Sequence, residues 1–122
     1  MDDSIQHGMD ELKQRLRAFA AERDWEQYHS PKNLAMALSV EAGEILEHFQ
    51  WLTEDESRRP PPETMAEIRD EIGDTLNYLA RLSDMLDIDP IAAALEKIKK
   101  NAEKYPADKA RGKADKYTKL SP

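Results

Sequence analysis

Apolar residues return along this chain at helical steps in four long stretches. Ile5, Met9, Leu12, Leu16 and Phe19 follow one another at intervals of three and four, which gathers them on one face of a helix. This predicts a first helix over about residues 5–24, starting after Ser4. Leu34, Leu38, Ile45 and Leu52 form the stripe of a second, over 31–52, with Ser30 as its N-cap and Pro31 at its first position. The segment "TEDESRRPPPE" is charged and proline-rich. It cannot continue the helix and reads as a loop with room for one short helical turn.

Ile68, Ile72, Leu79 and Leu86 mark a third helix over 65–86, where Thr64 and Glu67 have the spacing of a capping box. A fourth spans 90–105. It is opened by Asp89 and Pro90, carries Ile91, Leu95, Ile98 and Ala102 on one face, and stops before Pro106. Residues 106–122 lack apolar periodicity and read as an extended tail that is disordered or ordered by a partner. Amphipathic helices joined by short connections favour antiparallel neighbours, so the expected fold is all-α, a four-helix bundle forming a single domain over 1–122.

Composition narrows the function classes. Only four glycines and 35% charged residues suit an all-helical chain. The absence of cysteine excludes disulfides, thiolate metal sites and cysteine nucleophiles. The N-terminus has no basic and apolar leader pattern, and no apolar run approaches the roughly 20 residues that span a bilayer. A cytoplasmic location is therefore expected, with no membrane partner.

The net charge is −7, unevenly spread. From Pro106 onward five basic and two acidic residues leave +3, so the preceding 105 residues carry −10. An acidic body repels nucleic acid and suits a cation instead.

The placement of that acid is the main chemical signal. At 100° per residue Glu41 falls within the second stripe, between Leu38 and Ile45, and Glu44 lies beside it. On the third helix Glu71 stands beside Thr75 and Leu82, and Asp74 is bordered by Tyr78 and Met85. "EAGE" and "EIGD" thus each offer an acidic pair at i, i+3. Glu-x-x-Glu is common on solvated helices, but two such pairs intruding on the apolar faces of two long helices are not explained by solvation. Four converging carboxylates repel by several kcal/mol in all, roughly 3 for each pair about 5 Å apart. An all-oxygen donor set calls for a hard divalent ion, Mg²⁺ first and Mn²⁺ second. A di-iron bundle wants Glu-x-x-His on two helices, and His48 follows Ile45 by three residues.

At these residues the sequence resembles the MazG-like all-α nucleoside triphosphate pyrophosphohydrolases, closest to their dCTP pyrophosphatase branch. "RDWEQYHSPKNL", "EAGEILEHFQW", "EIGDTLNYLARL", "KIKKNAEKYP" and "KYTKL" carry the likeness across nearly the whole chain. The resemblance implies that Glu41, Glu44, Glu71 and Asp74 hold Mg²⁺. It further implies that water attacks the α-phosphorus of a nucleoside triphosphate, releasing a monophosphate and pyrophosphate. Glu44 or Glu47 is the candidate base, and the sequence does not choose between them.

By the same resemblance Trp25 and Trp51 are candidates for stacking on the base, Tyr78 for the sugar, and His29 for a nucleotide contact. Lys97, Asn101 and Lys104, on one flank of the fourth helix, are candidates for phosphate or nucleoside. Without the resemblance each has an ordinary alternative: core aromatics, a structural histidine, a solvated charged flank. The family pattern also implies a homo-oligomer, dimer or tetramer, with shared sites and with Lys109, Arg111 and Lys113 of the tail reaching phosphate. The expected activity is thus Mg²⁺-dependent hydrolysis of dCTP or modified pyrimidine deoxynucleotides. The alternatives are a phosphoribosyl-ATP- or dUTPase-type pyrophosphohydrolase and a non-catalytic helical module that binds a metal or a basic partner.

Overall fold

Ser30 begins the helix that carries half of the acidic cluster, and its side chain accepts from Asn33 N at 3.2 Å while Pro31 occupies the first turn. This computed structural model describes residues 3–120, except for the side chains of residues 3–6 and of Tyr117. The readings of Ser4 and Ile5 as the start of the first stripe therefore lie outside the described side chains. All regular structure among the described residues is helical. The chain divides after Ile88 into two compact units.

The first unit contains α1 (Asp3–Glu22), a 3₁₀ turn (Glu26–Tyr28), α2 (Pro31–Phe49), the short α3 (Glu54–Ser57) and α4 (Pro62–Met85). Later residues of α2 meet earlier residues of α4. His48 lies 3.5 Å from Glu67, Glu41 and Glu44 meet Glu71, and Ala37 borders the same cavity as Tyr78. The two helices therefore run antiparallel. α1 also opposes α4: Arg17 pairs with Asp84, and Lys13 Nζ donates to the carbonyl of Ile88 at 2.9 Å.

Helix ends differ from the sequence pattern in one instructive place. α4 begins at Pro62, and the Thr64–Glu67 capping box does not form. Prolines at 60–62 already have the φ of a first turn, so the helix starts three residues earlier. The capping box is instead at α3, where Thr53 Oγ1 accepts from Glu56 N at 3.2 Å and Glu56 Oε1 from Thr53 N at 2.9 Å. Glu67 is left to face His48.

α1 and α4 end alike, on an aspartate in the left-handed region: Asp24 and Asp87 both have φ of 54°. Trp25 N then bonds back to Ala20 O at 2.9 Å, and Ile88 N to Ser83 O at 2.8 Å. This is the Schellman closure, which brings the residue after the left-handed one against the last turn. It turns Trp25 onto Phe19, with ring centroids 5.7 Å apart in an edge-to-face pair, while Arg23 covers the Phe19 ring at 3.6 Å.

Met9, Ala20, Leu34, Ile68 and Ala80 are the buried apolar residues among those described. The expected inner stripe of α4 is only partly realised. Ile68 is buried, but Ile72 is 54% exposed, and Leu79 and Leu86 are also exposed. The helix is apolar over a wider arc than α1 and α2 cover.

The second unit holds α5 (Pro90–Lys104), α6 (Ala107–Ala110) and a 3₁₀ turn (Tyr117–Lys119). Asp89 caps α5 by accepting from Ile91 N and Ala92 N at 3.0 and 3.1 Å. The tail thus contains two helical turns. On α5, Leu95 and Ile98 are exposed. No helix among the described residues is long and apolar enough to cross a membrane.

Candidate active site

Glu41 and Glu44, one turn apart on α2, meet Glu71 of α4, with a carboxylate oxygen of each within 4.8 Å of the others. All three are half-buried. Glu41 Oε2 and Glu71 Oε2 are fully shielded from solvent and have no hydrogen-bond partner. Burial, then hydrogen bonding to Glu44 and the charges of Glu44 and Asp74, pushes Glu41 up to about 7. Hydrogen bonding to Glu44, followed by burial and the charge of Glu44, raises Glu71 as well, against a lowering influence of Glu41 and His48. A buried, partnerless carboxylate oxygen is costly. Two of them facing a third acid fit a hard divalent cation, which satisfies the open lone pairs and offsets the charge at once.

Asp74 stands outside this trio. It is exposed on the wall of an adjoining cavity, although its charge still acts on Glu41. Glu47 is exposed on α2. His48, one turn after Glu44, brings Nδ1 to 3.5 Å from Glu67 and Nε2 to 3.7 Å from Glu71. No Glu-x-x-His pattern marks it, since Ile45 stands three residues before it. The i, i+4 spacing from Glu44 was the available signal.

The cavity beside Asp74 has a volume of about 300 Å³. Leu16, Phe19 and Trp25 supply apolar surface; Asp74, Asn77, Tyr78, Arg81 and His29 supply polar groups. A second hollow of about 230 Å³ shares Trp25, His29 and Tyr78 with it and adds Asn33 and Leu34. Asp74, Asn77, Tyr78 and Arg81 sit at i, i+3, i+4 and i+7, so one face of α4 lines the cavity.

Arg81, 7% exposed, donates from Nε to His29 Nδ1 at 3.1 Å, and its guanidinium lies 3.5 Å from Asp84. Asp84 is also gripped by Arg17 through two hydrogen bonds, one of 2.6 Å from Nε. The hydrogen bond from Arg17 holds Asp84 below its ordinary value. Burial, then the charge of Arg81, lowers His29. Arginine can only donate, so Nδ1 of His29 is the acceptor in its bond with Arg81.

Trp25, His29 and Tyr78 thus share one cavity, next to the acidic cluster. Trp51 does not join them: it follows the end of α2 and is 86% exposed. Lys97, Asn101 and Lys104 lie exposed on α5 of the second unit. Lys109 is half-buried, and Arg111 and Lys113 are exposed. No motif in the sequence marks Asn77 or Arg81, although both continue the helical spacing of Asp74 and Tyr78.

Known proteins share this arrangement of sequence and fold. dCTP pyrophosphatase 1 of Mus musculus is 40% identical over 114 residues, covering 92% of this chain and 67% of its own length. The Homo sapiens protein of the same name has the same identity and coverage. The crystal structure of a pyrophosphatase from Archaeoglobus fulgidus superposes with a TM-score of 0.77 at 44% identity, over 82% of this chain and 94% of that one. The MazG-like family pattern matches residues 36–120, a span that includes the three clustered glutamates, Asp74 and Arg81. On that match and these relatives, the chain belongs to the MazG-like family.

Proposed function

We propose that this protein is a Mg²⁺-dependent hydrolase of deoxynucleoside triphosphates, of which dCTP or a modified pyrimidine deoxynucleotide is the preferred substrate. Its relatives make it a nucleotide pyrophosphohydrolase; the metal and the base are our own reading. One observation carries it. A trio of carboxylates with two buried, partnerless oxygens adjoins an aromatic-walled cavity of about 300 Å³ through Asp74.

Glu41, Glu44 and Glu71 would hold the cation, with Asp74 as the fourth acid at the cavity side. Bound there, Mg²⁺ offsets phosphate charge, polarises the α-phosphoryl group and lowers the pKa of water. In the hydrolysis, water oxygen bonds to the α-phosphorus, the bond from the α-phosphorus to the α,β-bridging oxygen breaks, and pyrophosphate leaves. Glu44 or Glu47 accepts the proton of the attacking water. Trp25 and Phe19 enclose the base, and Tyr78 borders the sugar. Lys97, Asn101 and Lys104 share a flank of α5 suited to phosphate or nucleoside.

A homo-oligomer fits this reading. Met65, Ile72, Leu76 and Leu79 leave an exposed apolar stripe along α4, and Met36, Val40 and Leu46 add exposed apolar surface on α2. Stripes of this kind mark association surfaces.

The test is product analysis. Incubation with each deoxynucleoside triphosphate and Mg²⁺ should yield the monophosphate and pyrophosphate. Release of orthophosphate and a diphosphate, or no turnover of any nucleotide, would overturn the proposal. Glu41→Gln and Glu71→Gln should each cut turnover by orders of magnitude while keeping the helical circular dichroism spectrum.

A further inference from the structure

Arg81 has more hydrogen-bonding capacity than its contacts with His29 and Asp84 use. Its Nε is committed to His29 Nδ1 and one terminal nitrogen approaches Asp84, but Asp84 is shared with Arg17. Arg17 holds Asp84 the more closely, through two hydrogen bonds, and leaves Arg81 at 3.5 Å from it. Arg81 is nearly buried and lines the cavity beside Asp74. Arginine carries five N–H donors, more than these two contacts use. The remaining donors are available to an acceptor in the cavity that Arg81 lines.

His29 adds a second donor to the same wall. Its Nδ1 accepts from Arg81, so its proton lies on Nε2 and the outer edge of the ring donates. Arginine has no acceptor at all. Arg81 and His29 therefore present donors alone at this end of the cavity, where both are lining residues.

α4 sets the distance from this wall to the acids. Arg81 follows Asp74 by seven residues, about 10 Å of helix rise, with Asn77 and Tyr78 between them on the same face. This is the order of a nucleotide laid along the helix: phosphate at the carboxylates, sugar at Tyr78, base at Arg81. Phe19 and Trp25 supply apolar surface to the same cavity.

We propose that Arg81 and His29 form a donor pair that selects among pyrimidines, accepting a base edge with two adjacent acceptors, O2 and N3 of cytosine. Uracil and thymine carry a hydrogen on N3, which would face a donor. The inference rests on the nucleotide reading above and adds the residues that choose the base. Asp84 and Arg17 act as positioning residues, holding the guanidinium in place.

Monophosphates test this without turnover. The full chain is titrated by calorimetry with dCMP, dUMP and 3-deaza-dCMP, in which a C–H replaces N3. A lost hydrogen bond to a charged donor costs roughly tenfold or more in affinity. Thus dCMP should bind about tenfold more tightly than either analogue. Arg81→Lys keeps the charge but loses the planar pair of donors, and it should bring the dCMP to dUMP ratio below about threefold. Its melting curve checks that the fold survives, and the 3-deaza ligand tests the wild-type chain in any case. Equal binding of all three ligands to the wild type, or an Arg81→Lys variant weakened equally for all three, overturns the inference. Turnover without cytosine preference sinks the base selector alone. Absence of both turnover and binding sinks the nucleotide reading beneath it.

Discussion

Replacing Glu41 with glutamine separates the cost of the acidic cluster from its use. One carboxylate oxygen of Glu41 lies within 4.8 Å of one of Glu44, and the comparison is made on metal-free protein at pH 8. At an effective dielectric near 20, two full charges at that distance repel by roughly 3 kcal/mol. The cluster is only half-buried, so solvent screens part of this, and a stabilisation of about 1–2 kcal/mol is expected from the neutral amide. A glutamine NH₂ can also donate to the neighbouring acids. Glu41→Gln should therefore melt about 4–8 °C above the wild type in EDTA, at about 4 °C per kcal/mol.

The order should reverse with Mg²⁺. Saturation at a hundred times the dissociation constant stabilises the wild type by about 2.7 kcal/mol, and the variant should gain little. The pH dependence has a definite sign. The folded-state value of Glu41 is about 7 against an ordinary 4.5. Its contribution is fully present below about pH 4.5 and is lost as pH rises through 7. The gap between variant and wild type in EDTA should thus be small at pH 5 and widest at pH 8. Differential scanning fluorimetry in EDTA and in Mg²⁺ measures all of this. A variant that melts lower than wild type in EDTA at pH 8, or that gains as much from Mg²⁺, would refute the reasoning.

Three further outcomes follow from the surrounding structure. Asp84→Asn removes the carboxylate shared by Arg17 and the nearly buried Arg81, and should destabilise by on the order of 3 kcal/mol in urea unfolding. His29 titrates below its ordinary 6.5, so stability should fall as pH drops below 6.5 toward the lower folded-state value; the slope in this window should flatten in His29→Gln. Ser30→Ala deletes the side-chain cap of α2 and should cost about 1 kcal/mol, read as a lower urea midpoint with an unchanged slope.

Local chemistry made much of this protein legible in its sequence. Ser30 with Pro31, and Asp89 with Pro90, mark helix starts because cap and proline act on their own first turn. Glu41, Glu44 and Glu71 were visible as acids intruding on apolar faces, since helical periodicity assigns a face to every residue without knowledge of its neighbours. Which faces are covered is another matter. Ile72 and Leu79 share a stripe with Ile68, yet only Ile68 is buried, because coverage depends on how far α1 and α2 wrap around α4.

Contacts between distant residues were likewise settled by the tertiary structure. The approach of His48 to Glu71 and of Arg81 to His29 joins residues 23 and 52 positions apart. No local pattern encodes such pairs. Trp25 and Trp51 looked equivalent as aromatics flanking the acids. The Schellman turn at Asp24 folds one onto Phe19 in the cavity wall, and the end of α2 leaves the other in the open. Periodicity determines the face on which a side chain stands; the packing of antiparallel helices decides what that face meets.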